Sequence, residues 1–148
     1  MNSLSNLDQT RSTTNRVPQV LVVDDHHDSI ALLTYILDAL GCCYQTANSA
    51  NAALSLAHSH QFDLALLDII LPKMNGIDLL HQLKQDKKQQ NMIAIAVTAL
   101  AFSHDQLRIK QAGFHDYICK PYLLPDMENI ICHHLRNKFP SLSKQARS

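Results

Sequence analysis

Asp24 and Asp25 stand side by side after an apolar run, Asp68 follows a second, and Thr98 and Lys120 close two more. The runs are VLVV before the acidic pair, LALL before Asp68, IAIAV before Thr98 and YIC before Lys120. Carboxylates gathered at one place repel one another, and each holds its proton more tightly unless a cation sits between them. Mg²⁺ suits such a place: it takes oxygen ligands, keeps several waters, and joins one or two carboxylates to a phosphate oxygen. A lysine brings a compact positive charge to a second phosphate oxygen, and a threonine hydroxyl is a donor to a third. An aspartate can itself attack phosphorus and form an acyl phosphate, which makes Asp68 the candidate nucleophile. Metal and Lys120 then neutralise the charge of the group in transfer. Taken singly these residues have ordinary uses: Asp24-Asp25 as a helix cap, Asp68 as a turn acid, Thr98 as a buried strand residue. Only a fold that gathers them gives them a common use.

Such a fold is legible in the hydrophobic pattern. Val20 to Val23, Cys43 to Ala47, Leu64 to Leu67, Met92 to Val97 and Asp116 to Cys119 read as strands, the third closed by Pro72 and Gly76. Between them Ile30 to Leu40, Asn51 to His60, Ile77 to Leu83 and Ser103 to Ala112 carry apolar residues at helical spacing, and a fifth helix follows from about Pro125 to Lys138. Gly41 and Gly113 are the expected helix stops. Lys84 to Asn91 reads as a polar connection. Strands alternating with helices through short connections predict an α/β domain, a five-stranded parallel sheet covered on both faces. A sequential strand order offers no crevice, so the doubly wound, flavodoxin-like order 2-1-3-4-5 is expected, with its switch point between the first and third strands. That order places Asp24, Asp25, Asp68, Thr98 and Lys120 around one crevice.

Length and composition set the bounds. The 148 residues suit one domain, read as residues 18–138 between flexible tails at 1–17 and 139–148. Thirteen basic residues balance thirteen acidic ones without a basic run, so direct nucleic-acid binding is not expected. No apolar stretch is long enough to span a membrane and none resembles a signal peptide, so a cytoplasmic protein without membrane insertion is expected. Cys42, Cys43, Cys119 and Cys132 have no metal-binding spacing and read as reduced packing residues. His26-His27 and His133-His134 read as solvated helix residues, since no cysteine or acid completes a ligand set around an adjacent pair.

In these residues the chain resembles the receiver domains of response regulators in two-component signalling, over Val20 to about Lys138. The resemblance rests on VLVVDD, LLDIILPKMNG, AVTAL and the Lys120-Pro121 pair. It implies that Asp68 is the phosphoacceptor, that Asp25 contacts Mg²⁺ directly and Asp24 mostly through water, and that the backbone carbonyl of Ile70 is a metal ligand. It implies further that Thr98 is the switch hydroxyl, that Lys120 pairs with the phosphoryl group, that Tyr117 is the aromatic that swings inward with Thr98, and that the Lys-Pro bond is often cis. A histidine kinase or histidine phosphotransfer protein is the implied donor. After Leu135 only RNKFPSLSKQARS remains, so output through an unknown downstream protein is expected, and homodimerisation is left open.

Alternatives from other classes leave different signatures. An intermediate carrier in a phosphorelay shares every site residue with a stand-alone regulator. An aspartate-based phosphatase wants an acid two residues after its nucleophile, where Ile70 stands, and an FMN carrier wants a Ser/Thr/Gly-rich loop where this chain has DDHHDS. The chain is therefore expected not to be an enzyme on a separate substrate, catalysing only its own phosphorylation and dephosphorylation. Ile70 and Leu100, apolar at two positions that overhang the phosphoryl group, are expected to shield an acyl phosphate from water.

Overall fold

The computed structural model describes residues 16–100 and 103–142. Its strands are β1 (Gln19–Val23), β2 (Cys43–Ala47), β3 (Leu64–Leu67), β4 (Ile93–Thr98) and β5 (Asp116–Cys119), all parallel, in the order β2-β1-β3-β4-β5. The helices are α1 (His27–Leu40), α2 (Ala50–Ser59), α3 (Gly76–Lys84), α4 (Ser103–Gln111) and α5 (Leu124–Leu135). β3 is buried at every residue, as its unbroken apolar run requires of a strand covered on both faces.

Alternate residues of each central strand feed two separate cores. Val20, Val22, Leu64, Leu66, Ile95 and Val97 face α1 and α5, packing on Leu33, Ile36, Leu37, Met127, Ile131 and Leu135. Leu21, Val23, Ala65, Leu67, Ala94 and Ala96 face the other way, onto Ala53 and Ala57 of α2, Leu79, Leu80 and Leu83 of α3, and Ile109 of α4. The period of two along the strands thus divides the helices two against three.

Local signals set the helix ends. Gly41 takes φ 79°, and the amides of Gly41 and Cys42 donate back to Asp38 and Leu37, closing α1 in the left-handed turn that glycine enters without strain. Ser49 and Asn75 cap α2 and α3 by accepting from the amides of Ala52 and Asp78.

Three departures from the sequence reading have clear physical causes. The polar connection after α3 contains a 3₁₀ turn, Lys87–Gln89, and Gln89 is fully buried. Its amide accepts from Phe62 N at 3.0 Å and donates to the carbonyls of Ala57 and His60, so it substitutes for backbone pairing between α2 and β3. Its polarity concealed it. The packed chain also reaches past residue 138: Phe139 and Leu142 are buried in the α1–α5 core, and residues 140–142 begin another helical turn. Two isolated apolar residues around Pro140 carry no periodicity to reveal this. At the amino end Arg16 forks onto the buried Asp63 at 2.9 and 3.1 Å and stacks over Phe139, fastening a residue read as tail. Most of the expected tail, residues 1–15, lies outside the described residues, as do 143–148.

Candidate functional site: an acidic crevice at the carboxyl edge of the sheet

Parallel strands that end together deliver their next residues to one edge. β1 delivers Asp24 and Asp25, β3 delivers Asp68, β4 ends in Thr98, and β5 delivers Lys120. The switch point between β1 and β3 opens the crevice that these residues line. Asp24 and Asp68 are 1% and 4% exposed, depths at which a carboxylate is retained only with a partner. Lys120 is that partner for both, its Nζ 2.6 Å from Asp24 Oδ2 and 3.1 Å from Asp68 Oδ2. The Ile70 amide donates to Asp68 Oδ1 at 3.0 Å, so both carboxylate oxygens are held. The Asp68 backbone is fixed as well: its amide donates to Val23 O, and Gly76 packs so closely over it that a Cβ at 76 would collide with the Asp68 carbonyl and lie 2.9 Å from Ile69 Cα. Glycine is required there by space.

Burial raises the Asp68 carboxyl above the usual carboxylate range, and the charge of Asp24 adds to this; the Ile70 amide and Lys120 oppose it without cancelling it. Burial lowers the Lys120 ammonium, but the hydrogen bond to Asp24 and the charge of Asp68 outweigh burial and leave it raised. The lysine is a firm cation.

The donor set fits a small divalent cation. Ligand atoms of Asp24, Asp25, His26 and Asp68 lie within 4.8 Å of one another. Asp25 Oδ1 is buried without a hydrogen-bond partner, an orphan acceptor of the kind a cation satisfies. Carboxylate oxygens dominate the set, as Mg²⁺ prefers.

The remaining sequence-singled residues lie close by. Thr98 is fully buried; its hydroxyl oxygen accepts from the Leu100 amide at 3.2 Å, and its carbonyl accepts from the Lys120 amide. Tyr117, paired in register with Ala96, and Leu100 are half-buried against the core cluster that holds Ile109 of α4. The Lys120–Pro121 bond is cis. A cleft of about 340 Å³ over Asp68 is lined also by His26, Ser29, Ile70, Ala99 and Lys120. Ile70 is 54% exposed, its side chain at the mouth of the site.

His26 corrects the sequence reading. It caps α1 by backbone geometry, and its Nδ1 stands 3.2 Å from both Asp24 Oδ1 and Asp25 Oδ1. Acids do complete a set around it. The helix-face rule that separates adjacent histidines does not apply at a strand-to-helix turn, where the backbone folds His26 over Asp24; its place directly after the acidic pair was the available signal. His133-His134 behaves differently, with His134 Nε2 2.9 Å from Asp116 Oδ2, linking α5 to β5.

The fold and crevice define a doubly wound α/β domain with an acidic site at the carboxyl ends of its strands. The sequence profile of the response regulator receiver domain matches residues 20–132, and the chain belongs to that family. It is 38% identical over 108 residues to the polar-differentiation response regulator DivK of Brucella anthropi, covering 72% of this chain and 86% of that one. DivK of Brucella melitensis is 37% identical over the same length. A CheY-like receiver domain protein from Methanospirillum hungatei superposes with a TM-score of 0.75 at 30% identity, over 82% of this chain and 96% of that one. Chemotaxis protein CheY4 of Vibrio cholerae shares the fold, with a TM-score of 0.76 at 20% identity over 80% and 99%. Among the described residues no helix is long and apolar enough to cross a membrane.

Proposed function

We propose that this receiver domain takes a phosphoryl group onto Asp68 from a phosphohistidine of a kinase or phosphotransfer protein, and signals through a changed protein-binding surface. The observation that carries this reading is Lys120 bridging Asp24 and Asp68 beside the orphan oxygen of Asp25. An Asp68 oxygen attacks phosphorus, the phosphorus–nitrogen bond breaks, and its electron pair returns to the donor imidazole. The Ile70 amide orients Asp68, and Lys120 passes from the carboxylate pair to an oxygen of the arriving phosphoryl group. Asp24, Asp25, Asp68 and the carbonyl of Ile70 would hold Mg²⁺, which when bound supplies charge neutralisation.

Thr98 is the switch: its hydroxyl, which accepts from the Leu100 amide, turns to donate to a phosphoryl oxygen, Leu100 shifts with it, and Tyr117 follows into the space. The domain acts on no separate substrate, works in the cytoplasm, and passes its state to a protein partner. Its DivK relatives are named as response regulators of polar differentiation, which supports the signalling role.

Incubation with Mg²⁺ and a small phosphodonor tests this reading. The expected product is one added phosphoryl group, stable in acid and labile in base, absent with EDTA and absent in Asp68→Asn. Labelling that survives in Asp68→Asn contradicts it.

A further inference from the structure

Within the acidic crevice the oxygens divide between two sides. Lys120 occupies Oδ2 of Asp24 and Oδ2 of Asp68. On the other side, Asp24 Oδ1 and the unpartnered Asp25 Oδ1 both face Nδ1 of His26, each at 3.2 Å. Two ligands bound at neighbouring positions of one octahedral ion, each about 2.1 Å from it, stand about 3 Å apart. Each nitrogen–oxygen separation therefore already has the spacing of two neighbouring ligands on one ion, with all the ligand atoms within 4.8 Å of one another.

The backbone fixes this arrangement. The His26 amide donates to Asp24 Oδ1 at 2.9 Å, so the residue cannot leave the acid pair without breaking its own turn into α1. Nδ1 is hydrogen-bonded to Asp24 Oδ1, which places the ring's hydrogen on Nδ1; the ring remains 68% exposed, so on binding an ion that hydrogen is replaced by one on Nε2, taken from water, and the Nδ1 lone pair is freed.

We propose that His26 is a nitrogen ligand added to the carboxylates of the crevice, so that the site holds first-row transition ions such as Mn²⁺ in preference to Mg²⁺. The inference rests on the crevice being a divalent-cation site. Mg²⁺ gains little from imidazole, whereas Mn²⁺ and its heavier neighbours accept mixed nitrogen and oxygen sets and bind more tightly along the series. The preference is a property of this chain's own residue 26, separable from the carboxylates that any divalent ion uses.

Binding of Mn²⁺ and Mg²⁺ to the full chain, with pulsed electron paramagnetic resonance of the Mn²⁺ form, tests it. Wild type is expected to show nitrogen modulation from a coordinated imidazole. His26→Asn is expected to lose that modulation and about tenfold in Mn²⁺ affinity, with Mg²⁺ affinity changed less than about twofold. His27→Asn, altering the neighbouring exposed histidine, is expected to keep both. Absence of nitrogen modulation in wild type, or an unchanged Mn²⁺-to-Mg²⁺ affinity ratio in His26→Asn, overturns the proposal and leaves the phosphoacceptor reading intact. Undiminished affinity for both ions in Asp25→Asn overturns the crevice as a cation site, and the proposal with it.

Discussion

Asp68 is held by the fold in a state it resists, and that resistance is measurable. Its raised carboxyl means that the folded chain retains a proton there at pH values where the unfolded chain has lost it. Folding stability therefore falls as pH rises from the ordinary carboxylate range through the Asp68 value. Asp68→Asn removes this penalty, so its urea midpoint is expected to match wild type at low pH and to exceed it once the pH has risen through the Asp68 value. Saturating Mg²⁺ is expected to narrow the neutral gap. A gap independent of pH contradicts the assignment of burial and charge crowding to this residue. Ile70 and Leu100 provide a second test at this scale, because neither can orient a water toward an acyl phosphate. Ile70 stands exposed at the mouth of the cleft and Leu100 half-buried behind Thr98. Ile70→Asn combined with Leu100→Glu is expected to speed acyl phosphate decay by about tenfold, within what a water-positioning group supplies. An unchanged or slower decay refutes shielding by this pair. Asp68 was legible from the apolar run it closes, and Ile70 and Leu100 from the resemblance to receiver domains that sets them over the phosphoryl group. His26 stayed hidden because its role depends on a turn that no periodicity describes.

The elements are unequally anchored, and the difference falls where the proposed switch acts. α3 buries Leu79, Leu80 and Leu83, whereas α4 buries only Asp105 and Ile109 and leaves its other apolar residue, Leu107, exposed. A helix with so little buried apolar surface opens locally at low cost. Amide hydrogen exchange is expected to be faster in α4 than in α3, and phosphorylation is expected to change it in α4. Thr98→Ala should accept the phosphoryl group yet lose that change, because its hydroxyl couples the site to Leu100. An α4 response of undiminished size in Thr98→Ala contradicts the coupling. β3 and α1 were legible because long apolar patterns leave little choice of burial. Gln89 was not, since a buried glutamine inside a polar run becomes identifiable only when the carbonyls and amide it satisfies are in place.

At the scale of the molecule, one sheet performs two tasks at opposite ends. The carboxyl edge gathers the acids and Lys120, while Asp63 near the opposite edge binds Arg16 and Lys138, fastening both ends of the packed chain. The strand order was legible because an alternating chain with acids after two of its strands needs a switch point to bring them together. The extent of the packed chain was less legible, because Arg16 and Phe139 earn their places through Asp63 and each other, contacts across the whole sequence. The proposed signalling role of the crevice depends on Asp68 supplying the oxygen that bonds phosphorus. Borohydride reduction of the phosphorylated chain, followed by peptide mapping, addresses this directly, since an aspartyl phosphate is reduced to homoserine where it formed. Homoserine is expected at residue 68 alone, and only when a divalent cation was present during phosphorylation. Homoserine at residue 24 or 25, or its absence from a chain that carries the phosphoryl group, contradicts it.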